Sequence, residues 1–341
     1  MIPDQSPDDM AQDASDRRRH IAVIGAGAWG TALASVFARA GHGVVLYGRD
    51  AATVVEINEN RTNARYLGEV RLPQALLASA DIRECVGRAE FVFLVVPTQG
   101  LRRVAGELAG GLAPGAMLIN CAKGIERGSG QLPHRVLAEV FPDMACGVLS
   151  GPSFAEEVAA GKPTAVTLAM PEAGQAMAMA AALSTPDFRI YASDDVIGVE
   201  AGGALKNVMA IAVGICRGME LGASAEAALI ARGHAELTRL AVKLGAQPAT
   251  LQGLAGLGDL VLTCSSPKSR NFSLGIALGR GEPLPARLAE GMYTAGIAAD
   301  IAARHGVAAP IVEIVSMILA GKIDLEAARS ALLNRPVRLE A

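Results

Sequence analysis

The chain has 341 residues, of which 51% are hydrophobic and 19% are charged, and its formal net charge is −3. This composition supports a large apolar core and excludes a disordered chain, and the length predicts about two domains. Without a basic surplus, and with only 4% aromatic residues, the sequence argues against a nucleic-acid partner.

The N-terminal region contains a segment that imitates a targeting signal. Residues 1–19 are polar and acidic, and we expect a disordered tail there. The three arginines at its end are followed by an uncharged run over 21–38, a pattern shared by twin-arginine signals and by membrane spans. Glycines interrupt this run and divide it into a strand, a turn and a helix. We therefore predict neither a signal peptide nor a membrane span.

Strand-like and helix-like segments alternate through the first half of the chain. Strands are predicted at 20–25, 43–48, 91–97, 115–122, 145–150 and 164–170. Helices are predicted at 30–41 and 51–60, and the other intervening segments are also interpreted as helices. This alternation is typical of a doubly wound, mostly parallel sheet, and it predicts an α/β Rossmann-like domain over 20–193.

The pattern changes near Asp194, after which strand-like alternation ends. Helices are predicted at 194–216, 224–244, 248–263, 270–280, 287–305, 309–320 and 324–333. We therefore expect an all-α substrate and catalytic domain over 194–341. Its apolar helices fit either a homodimer interface or an intrachain core, and the sequence leaves both open.

Cysteine and histidine spacing indicates neither disulfides nor a metal site. The five cysteines are widely spaced, and no CxxC occurs. This usage predicts free thiols in a reducing cytoplasm. The five histidines form no HxxxH or HExxH pattern, so we expect no metal.

A glycine-rich turn, GAGAWG, follows the first predicted strand and opens the first predicted helix. In that context Gly25 allows a tight turn, Gly27 allows close approach of a pyrophosphate, and Gly30 allows close helix packing. The pattern predicts a dinucleotide site. Arg49 follows the second strand, where an acid usually binds the ribose of NAD, so NADPH is favoured over NADH, with dual use open. FAD is a weaker alternative.

Lys206 lies in an otherwise small and apolar helical pattern, EAGGALKNVMAIAVG. Reduction of a carbonyl requires a proton donor near the oxygen, and burial would lower a lysine pKa toward a useful range. The alternative is an ordinary lysine that reaches solvent from a helix. Spacing alone leaves both interpretations open.

Five segments together resemble the motif series of the bacterial-type NAD(P)-dependent glycerol-3-phosphate dehydrogenases. They are GAGAWGTALA, AKG, SGPSFAEEVA, GGALKNVMAIAVG and GLAGLGDLVLTCSSPKSRNFSLG. The resemblance covers about residues 20–335 in the family's order. It implies reversible reduction of dihydroxyacetone phosphate to sn-glycerol 3-phosphate with NAD(P)H, supplying glycerophospholipid synthesis in the cytoplasm.

The resemblance also implies roles for individual residues. The catalytic set would be Lys206, Lys123 and Asp259. Substrate contacts would be Lys123, Gly151, Ser153, Lys206, Asp259, Ser269, Arg270 and Asn271. Beyond the three fingerprint glycines, cofactor contacts would be Ala28, Trp29, Arg49, Lys123, Ala155, Arg270, Leu288 and Glu290. At Leu288 and Glu290 this sequence departs from the family pattern, because the usual V-x-E-G is L-A-E-G here.

Two other functions remain as alternatives. One is another lysine-dependent Rossmann reductase, of the 3-hydroxyacid or ketopantoate type. The other is a non-catalytic NADPH-binding sensor. Without resemblance, the SRN and GLGDL segments would be interpreted as a helix cap and a capped turn.

Overall fold

The computed structural model describes residues 18–283 and 289–333. The first half forms an eight-stranded sheet in the order β3-β2-β1-β4-β5-β6-β7-β8. The strands are β1 His20–Ile24, β2 Gly43–Tyr47, β3 Leu77–Ser79, β4 Phe91–Leu94, β5 Met117–Asn120, β6 Cys146–Ser150, β7 Thr164–Ala169 and β8 Phe188–Ser193. Neighbouring strands are parallel except β6 and β7. The predicted α/β class is confirmed.

Helices connect these strands and cover both faces of the sheet. They are α1 Ala28–Arg39, α2 Ala51–Val55, α3 Ala64–Leu67, α4 Ile82–Val86, α5 Leu101–Leu108, α6 Pro133–Val140, α7 Ala155–Ala159 and α8 Ala173–Leu183. A wide helical turn, Glu56–Asn60, extends α2, and a 3₁₀ turn, Thr98–Gly100, precedes α5. Both faces carry apolar cores, because side chains of the central strands are buried on either side.

The prediction that every segment between the predicted strands is helical is wrong at β3, and β8, which follows the last predicted strand, is not among the predicted strands. Both lie at the edges of the sheet, and β3, with three residues, is too short to give a clear pattern. In β8 the side chains alternate, since Phe188 and Ile190 are buried whereas Arg189 and Tyr191 are exposed. That alternation is a strand signal that the sequence interpretation overlooked.

All elements described beyond β8 are helices. They are α9 Val196–Gly218, α10 Ala223–Lys243, α11 Pro248–Gln252, α12 Asp259–Ser265, α13 Arg270–Gly279, α14 Glu290–Arg304, α15 Pro310–Leu319 and α16 Leu325–Leu333. This change of element type supports our proposal of two domains, over 20–193 and 194–341. Most of the predicted acidic tail lies outside the described residues.

The single helix predicted at 248–263 is wrong. The chain leaves helical geometry at Gly253, makes a wide turn over Leu254–Gly258, and resumes as α12. Glycine has low helix propensity, and three glycines fall within this stretch. The break matters because it places Asp259 at the first turn of α12.

Helix α9 is the centre of the second half. Its glycines let α13 approach backbone to backbone: a Cβ on Gly214 would lie 2.3 Å from the Phe272 carbonyl oxygen. Of the described helices, α9 alone is long and apolar enough to cross a membrane, but 94% of its apolar window is buried inside the protein. It is therefore a core helix. A small apolar cluster, including Val148, Val199 and Ala255, joins it to the sheet.

Candidate active site

The carboxyl ends of the central parallel strands meet at one edge of the sheet. Gly25 follows β1, Thr98 follows β4, Lys123 follows β5 and Gly151 follows β6. The strand order reverses between β1 and β4. Ligands bind open α/β sheets outside such a reversal point. Helix α9 packs against this edge of the sheet.

Two lysines share one carboxylate at that edge. Lys206 donates to Asp259 Oδ1 at 2.5 Å, and Lys123 donates to Asp259 Oδ2 at 2.6 Å. Lys206 also donates to the Thr263 hydroxyl at 2.7 Å, whereas Lys123 donates to the Gly151 carbonyl at 3.2 Å. The side chains of Lys206 and Asp259 are 8% and 2% exposed. Two of the three Lys206 N–H donors are thereby used, which leaves one for a ligand.

The environment lowers the proton affinity of Lys206. Burial brings its pKa from the usual 10.5 to about 8, against the opposing charge of Asp259 and with help from the like charge of Lys123. For Asp259, burial acts to raise the pKa, but the two ammonium groups outweigh it and hold the pKa below its usual value. The pair is thus an ionised carboxylate beside a lysine whose pKa is about 8.

Local sequence explains how these groups meet. A Cβ on Gly203 would lie 2.9 Å from Ser150 Oγ and 3.4 Å from Lys123 Cγ, so glycine there lets the Lys123 stem pack against α9. A Cβ on Gly202 would lie 2.6 Å from the Ala255 carbonyl oxygen, so the wide turn also packs on this helix. Small residues of α9 therefore admit the loops that carry the reactive groups.

The SRN segment begins α13 next to these lysines. Ser269 Oγ accepts from the Phe272 amide and so caps the helix, as the interpretation of the SRN segment as a helix cap predicts. Asn271 is buried, donates to Asn207 Oδ1 at 2.9 Å and accepts from the Gly291 amide at 2.9 Å. Arg270 is exposed at the first helical position. The segment presents a positive helix end and a guanidinium together.

The glycine-rich turn has the geometry of a pyrophosphate cradle. Gly25 has φ of 124°, and a Cβ there would lie 2.3 Å from the Val95 carbonyl oxygen. A Cβ on Gly30 would lie 1.9 Å from the Gly25 carbonyl oxygen, whereas one on Gly27 would meet nothing within 4 Å. Helix α1 begins at Ala28 without a side-chain cap. Gly27 therefore leaves open space beside uncapped helix amides, which fits a dinucleotide. Trp29 lies in the same first turn, half-buried.

Arg49 and Asp50, which follow β2, have different environments. Asp50 caps α2, since its carboxylate accepts from the Ala52 amide at 3.1 Å and the Thr53 hydroxyl at 3.0 Å. Arg49 is exposed. The acid is thus engaged in the fold, whereas the guanidinium faces outward at the end of the strand.

A second polar cradle lies beside Gly124. Thr98 Oγ1 and Glu290 Oε2 are both buried and have no hydrogen-bond partner. A Cβ on Gly124 would lie 2.7 Å from the former and 3.2 Å from the latter. Burial raises the pKa of Glu290, opposed by the charge of Arg270 and by a hydrogen bond from the Thr98 backbone. Unsatisfied buried polar atoms of this kind fit a ligand that both donates and accepts. Leu288, predicted beside Glu290, lies outside the described residues.

Two predicted residues lie on the segment between β6 and α7. Ser153 donates to the Gly151 carbonyl at 3.1 Å, and Ala155 is the first residue of α7. Within residues 18–283 and 289–333, no group of three or more His, Cys, Asp or Glu side chains is placed to hold a metal ion.

Sequence reasoning missed Thr263 and Asn207. Thr263 lies four residues after Asp259 on α12, a spacing that places both on one helix face, so this residue could have been found. Asn207 is the last residue of the GALKN motif and donates weakly to the Lys123 carbonyl at 3.4 Å. That long-range contact had no local signal.

Fold and site together define a class, the nicotinamide-dependent dehydrogenases. A dinucleotide cradle at one edge of a parallel sheet faces a buried lysine and carboxylate from a helical half.

Comparison with known proteins identifies the family. Residues 20–176 match the N-terminal part of NAD-dependent glycerol-3-phosphate dehydrogenase, and residues 195–330 match its C-terminal part. The chain belongs to this family. A glycerol-3-phosphate dehydrogenase (NAD(P)+) of Brucella canis is 52% identical over 94% of this chain and 98% of its own length. One from a Bradyrhizobium species is 54% identical over the same shares.

A solved structure agrees with these relatives. The crystal structure of glycerol-3-phosphate dehydrogenase from Coxiella burnetii superposes with a TM-score of 0.88 at 38% identity. The match covers 93% of this chain and 99% of that one. Both halves of the chain therefore follow one known architecture.

Proposed function

We propose that this protein catalyses the reversible reduction of dihydroxyacetone phosphate to sn-glycerol 3-phosphate with NADPH or NADH. The observation that carries the proposal is Lys206. It is buried beside Asp259, has a pKa near 8, and lies at the sheet edge that the dinucleotide cradle also faces. A proton donor with that pKa is matched to carbonyl reduction at neutral pH.

The chemistry divides between cofactor and protein. When bound, the nicotinamide supplies the hydride that adds to the carbonyl carbon. Lys206 donates the proton that neither Asp259 nor Thr263 accepts to the carbonyl oxygen as negative charge develops there, becomes a neutral amine, and regains a proton from solvent. Asp259 keeps Lys206 oriented through the 2.5 Å hydrogen bond. Lys123 adds a second positive charge, held by the same carboxylate at 2.6 Å.

The substrate phosphate is assigned to the start of α13. The guanidinium of Arg270 suits a phosphate, and the helix end adds amide donors and a positive dipole. Ser269 and Asn271 stand on either side of Arg270 in the chain and stay predicted substrate contacts. Gly151 and Ser153 follow β6 and stay predicted substrate contacts; the Gly151 carbonyl already accepts from Lys123 at 3.2 Å.

The cofactor is assigned to the groups that fit it. Gly25, Gly27, Ala28, Trp29 and Gly30 would hold the pyrophosphate at the start of α1, and Ala155, the first residue of α7, stays a predicted cofactor contact. The orphaned oxygens of Thr98 and Glu290 would bind the nicotinamide amide.

NADPH is favoured over NADH in this proposal. Asp50 is occupied as a helix cap and so is poorly placed to accept from a ribose hydroxyl. Arg49 is exposed beside it and suits a 2′-phosphate.

An assay of three ketones tests the proposed substrate. Purified protein with NADPH, and separately with NADH, is given dihydroxyacetone phosphate, unphosphorylated dihydroxyacetone, or ketopantoate, and cofactor oxidation is followed by absorbance. We expect rapid oxidation with the phosphorylated triose only, because the start of α13 recognises phosphate. Faster turnover of ketopantoate would favour the rival reductase. Cofactor binding without turnover of any ketone would favour the sensor.

The cellular setting is part of the proposal. The product would supply the glycerol backbone of phospholipids in the cytoplasm. A reducing compartment is supported by the five cysteines of the described chain, which are all buried free thiols. A homodimer stays a prediction.

A further inference from the structure

A buried carboxylate outside the proposed chemistry lies where the two halves of the chain meet. Glu200 is in the second turn of α9 and is 3% exposed. A charge in such a position is stabilised only when hydrogen bonds replace its water. Its partners therefore indicate why a glutamate is there.

Those partners lead directly to the turn that carries Lys123. Glu200 Oε1 accepts from Asn120 Nδ2 at 3.1 Å, and Oε2 accepts from the His134 amide at 3.2 Å and lies 2.7 Å from its Nδ1. Asn120 ends β5, and holds both backbone groups of Ala122: its Oδ1 accepts from the amide at 2.9 Å, and its Nδ2 donates to the carbonyl at 3.1 Å. The backbone immediately before Lys123 is thus held by Asn120, and Asn120 in turn is hydrogen-bonded to Glu200 of α9.

Helix α9 also carries Lys206, six residues beyond Glu200. Between them, Gly203 accommodates the Lys123 stem. Asp259 reaches both ammonium groups, at 2.5 and 2.6 Å. A shift of the β5 turn relative to α9 would therefore separate Lys123 from this shared carboxylate.

We propose that Glu200 is a positioning residue. It holds the turn over 120–124, and so Lys123, in a fixed position relative to the helix that bears Lys206. The inference rests on the proposed function of the two lysines. It adds an interdomain hydrogen-bond chain that neither the motifs nor the substrate contacts contain.

The chain of donors requires a carboxylate. Asn120 cannot reverse its amide, because its oxygen already accepts from the Ala122 amide. The His134 backbone N–H cannot become an acceptor either. A glutamine at position 200 would therefore point its NH₂ at one of two fixed donors. One donor would lose its partner in a buried site, and the turn would move to relieve the conflict.

The experiment compares Glu200→Gln with a matched control, Glu236→Gln. Glu236 is also 3% exposed and also receives helix amides, from Ile311 at 2.9 Å and Val312 at 3.4 Å, at the start of α15. These partners are not site residues. We expect Glu200→Gln to lower kcat/KM for dihydroxyacetone phosphate by about 10- to 100-fold, the usual scale for a misplaced catalytic group. We expect Glu236→Gln to stay within about threefold of wild type, because the effect needs the link to Lys123.

A pH profile separates positioning from general destabilisation. Lys206 is faced by Asp259 and Cys264 from α12 and by Lys123 from the β5 turn, and the charge of Lys123 lowers its pKa. Moving Lys123 away raises the Lys206 pKa. The alkaline limb of ketone reduction should therefore move to higher pH in Glu200→Gln and stay in place in Glu236→Gln.

A second variant covers the case in which Glu200→Gln does not fold. Asn120→Ala removes both hydrogen bonds to the Ala122 backbone but leaves Glu200 bonded to His134, so the contact between Glu200 and the first turn of α6 survives. We expect the same loss of kcat/KM and the same movement of the limb. Wild-type kcat/KM and an unmoved limb in either folded variant would overturn the inference alone. An inactive wild-type protein would overturn the proposed function, and the inference with it.

Discussion

The pH dependence of ketone reduction follows directly from the burial of Lys206. Its pKa of about 8 means that the donor is protonated at pH 7 and neutral at pH 10. Reduction needs the protonated form, so kcat/KM should be constant below the pKa and fall about tenfold per pH unit above it. Oxidation of sn-glycerol 3-phosphate needs the neutral form and should rise through the same pH.

The assay follows kcat/KM for dihydroxyacetone phosphate between pH 6.5 and 10 at saturating NADPH. The second ionisation of a phosphate monoester lies near pH 6, below this window. Lys206→Arg is the control, because a guanidinium has a pKa above 12 and does not release a proton in this range. The variant should be slow and should lack the limb near pH 8. A flat wild-type profile, or an unchanged limb in the variant, would refute the reasoning.

Three further predictions concern neighbouring groups. Asp259→Asn removes the charge that raises the Lys206 pKa, so the alkaline limb should move to lower pH in the same profile, and movement upward would contradict this account. Gly30→Ala places a Cβ 1.9 Å from the Gly25 carbonyl oxygen. Overpacking there should lower the free energy of unfolding by about 1–3 kcal/mol or more, measured by denaturant melts, and should weaken NADPH binding. Arg49→Ala should weaken NADPH about tenfold more than NADH by fluorescence titration, since one charge-assisted hydrogen bond contributes about 1.5–3 kcal/mol; equal losses would remove Arg49 from phosphate recognition.

Sequence patterns predicted the parts of the fold that depend on local chemistry. Buried central strands such as β4 are short apolar runs, and the GAGAWG turn is defined by the space that glycine leaves. The edge strands β3 and β8 escaped because they are short or half-exposed. The break at Gly253 escaped because apolar spacing continues through the wide turn that follows.

The candidate site shows the same division. Periodicity left the role of Lys206 ambiguous, since the sequence pattern does not distinguish a buried lysine from a lysine that reaches solvent. Burial lowers the Lys206 pKa, and the charges of Asp259 and Lys123 adjust that pKa further; all three depend on groups that are distant in the chain and meet only in the fold. Glu200 illustrates the limit most clearly, because its partners Asn120 and His134 lie 80 and 66 residues away.

The most direct measurement of the central claim is single-turnover reduction of dihydroxyacetone phosphate by a Lys206→Met variant, with NADPH affinity measured in parallel. Methionine keeps the length and the apolar stem but has no proton to donate. The account predicts a rate at least about 10²-fold below wild type, the usual scale of general acid catalysis, with NADPH affinity within about threefold. Near wild-type turnover in a variant that still binds NADPH would contradict it.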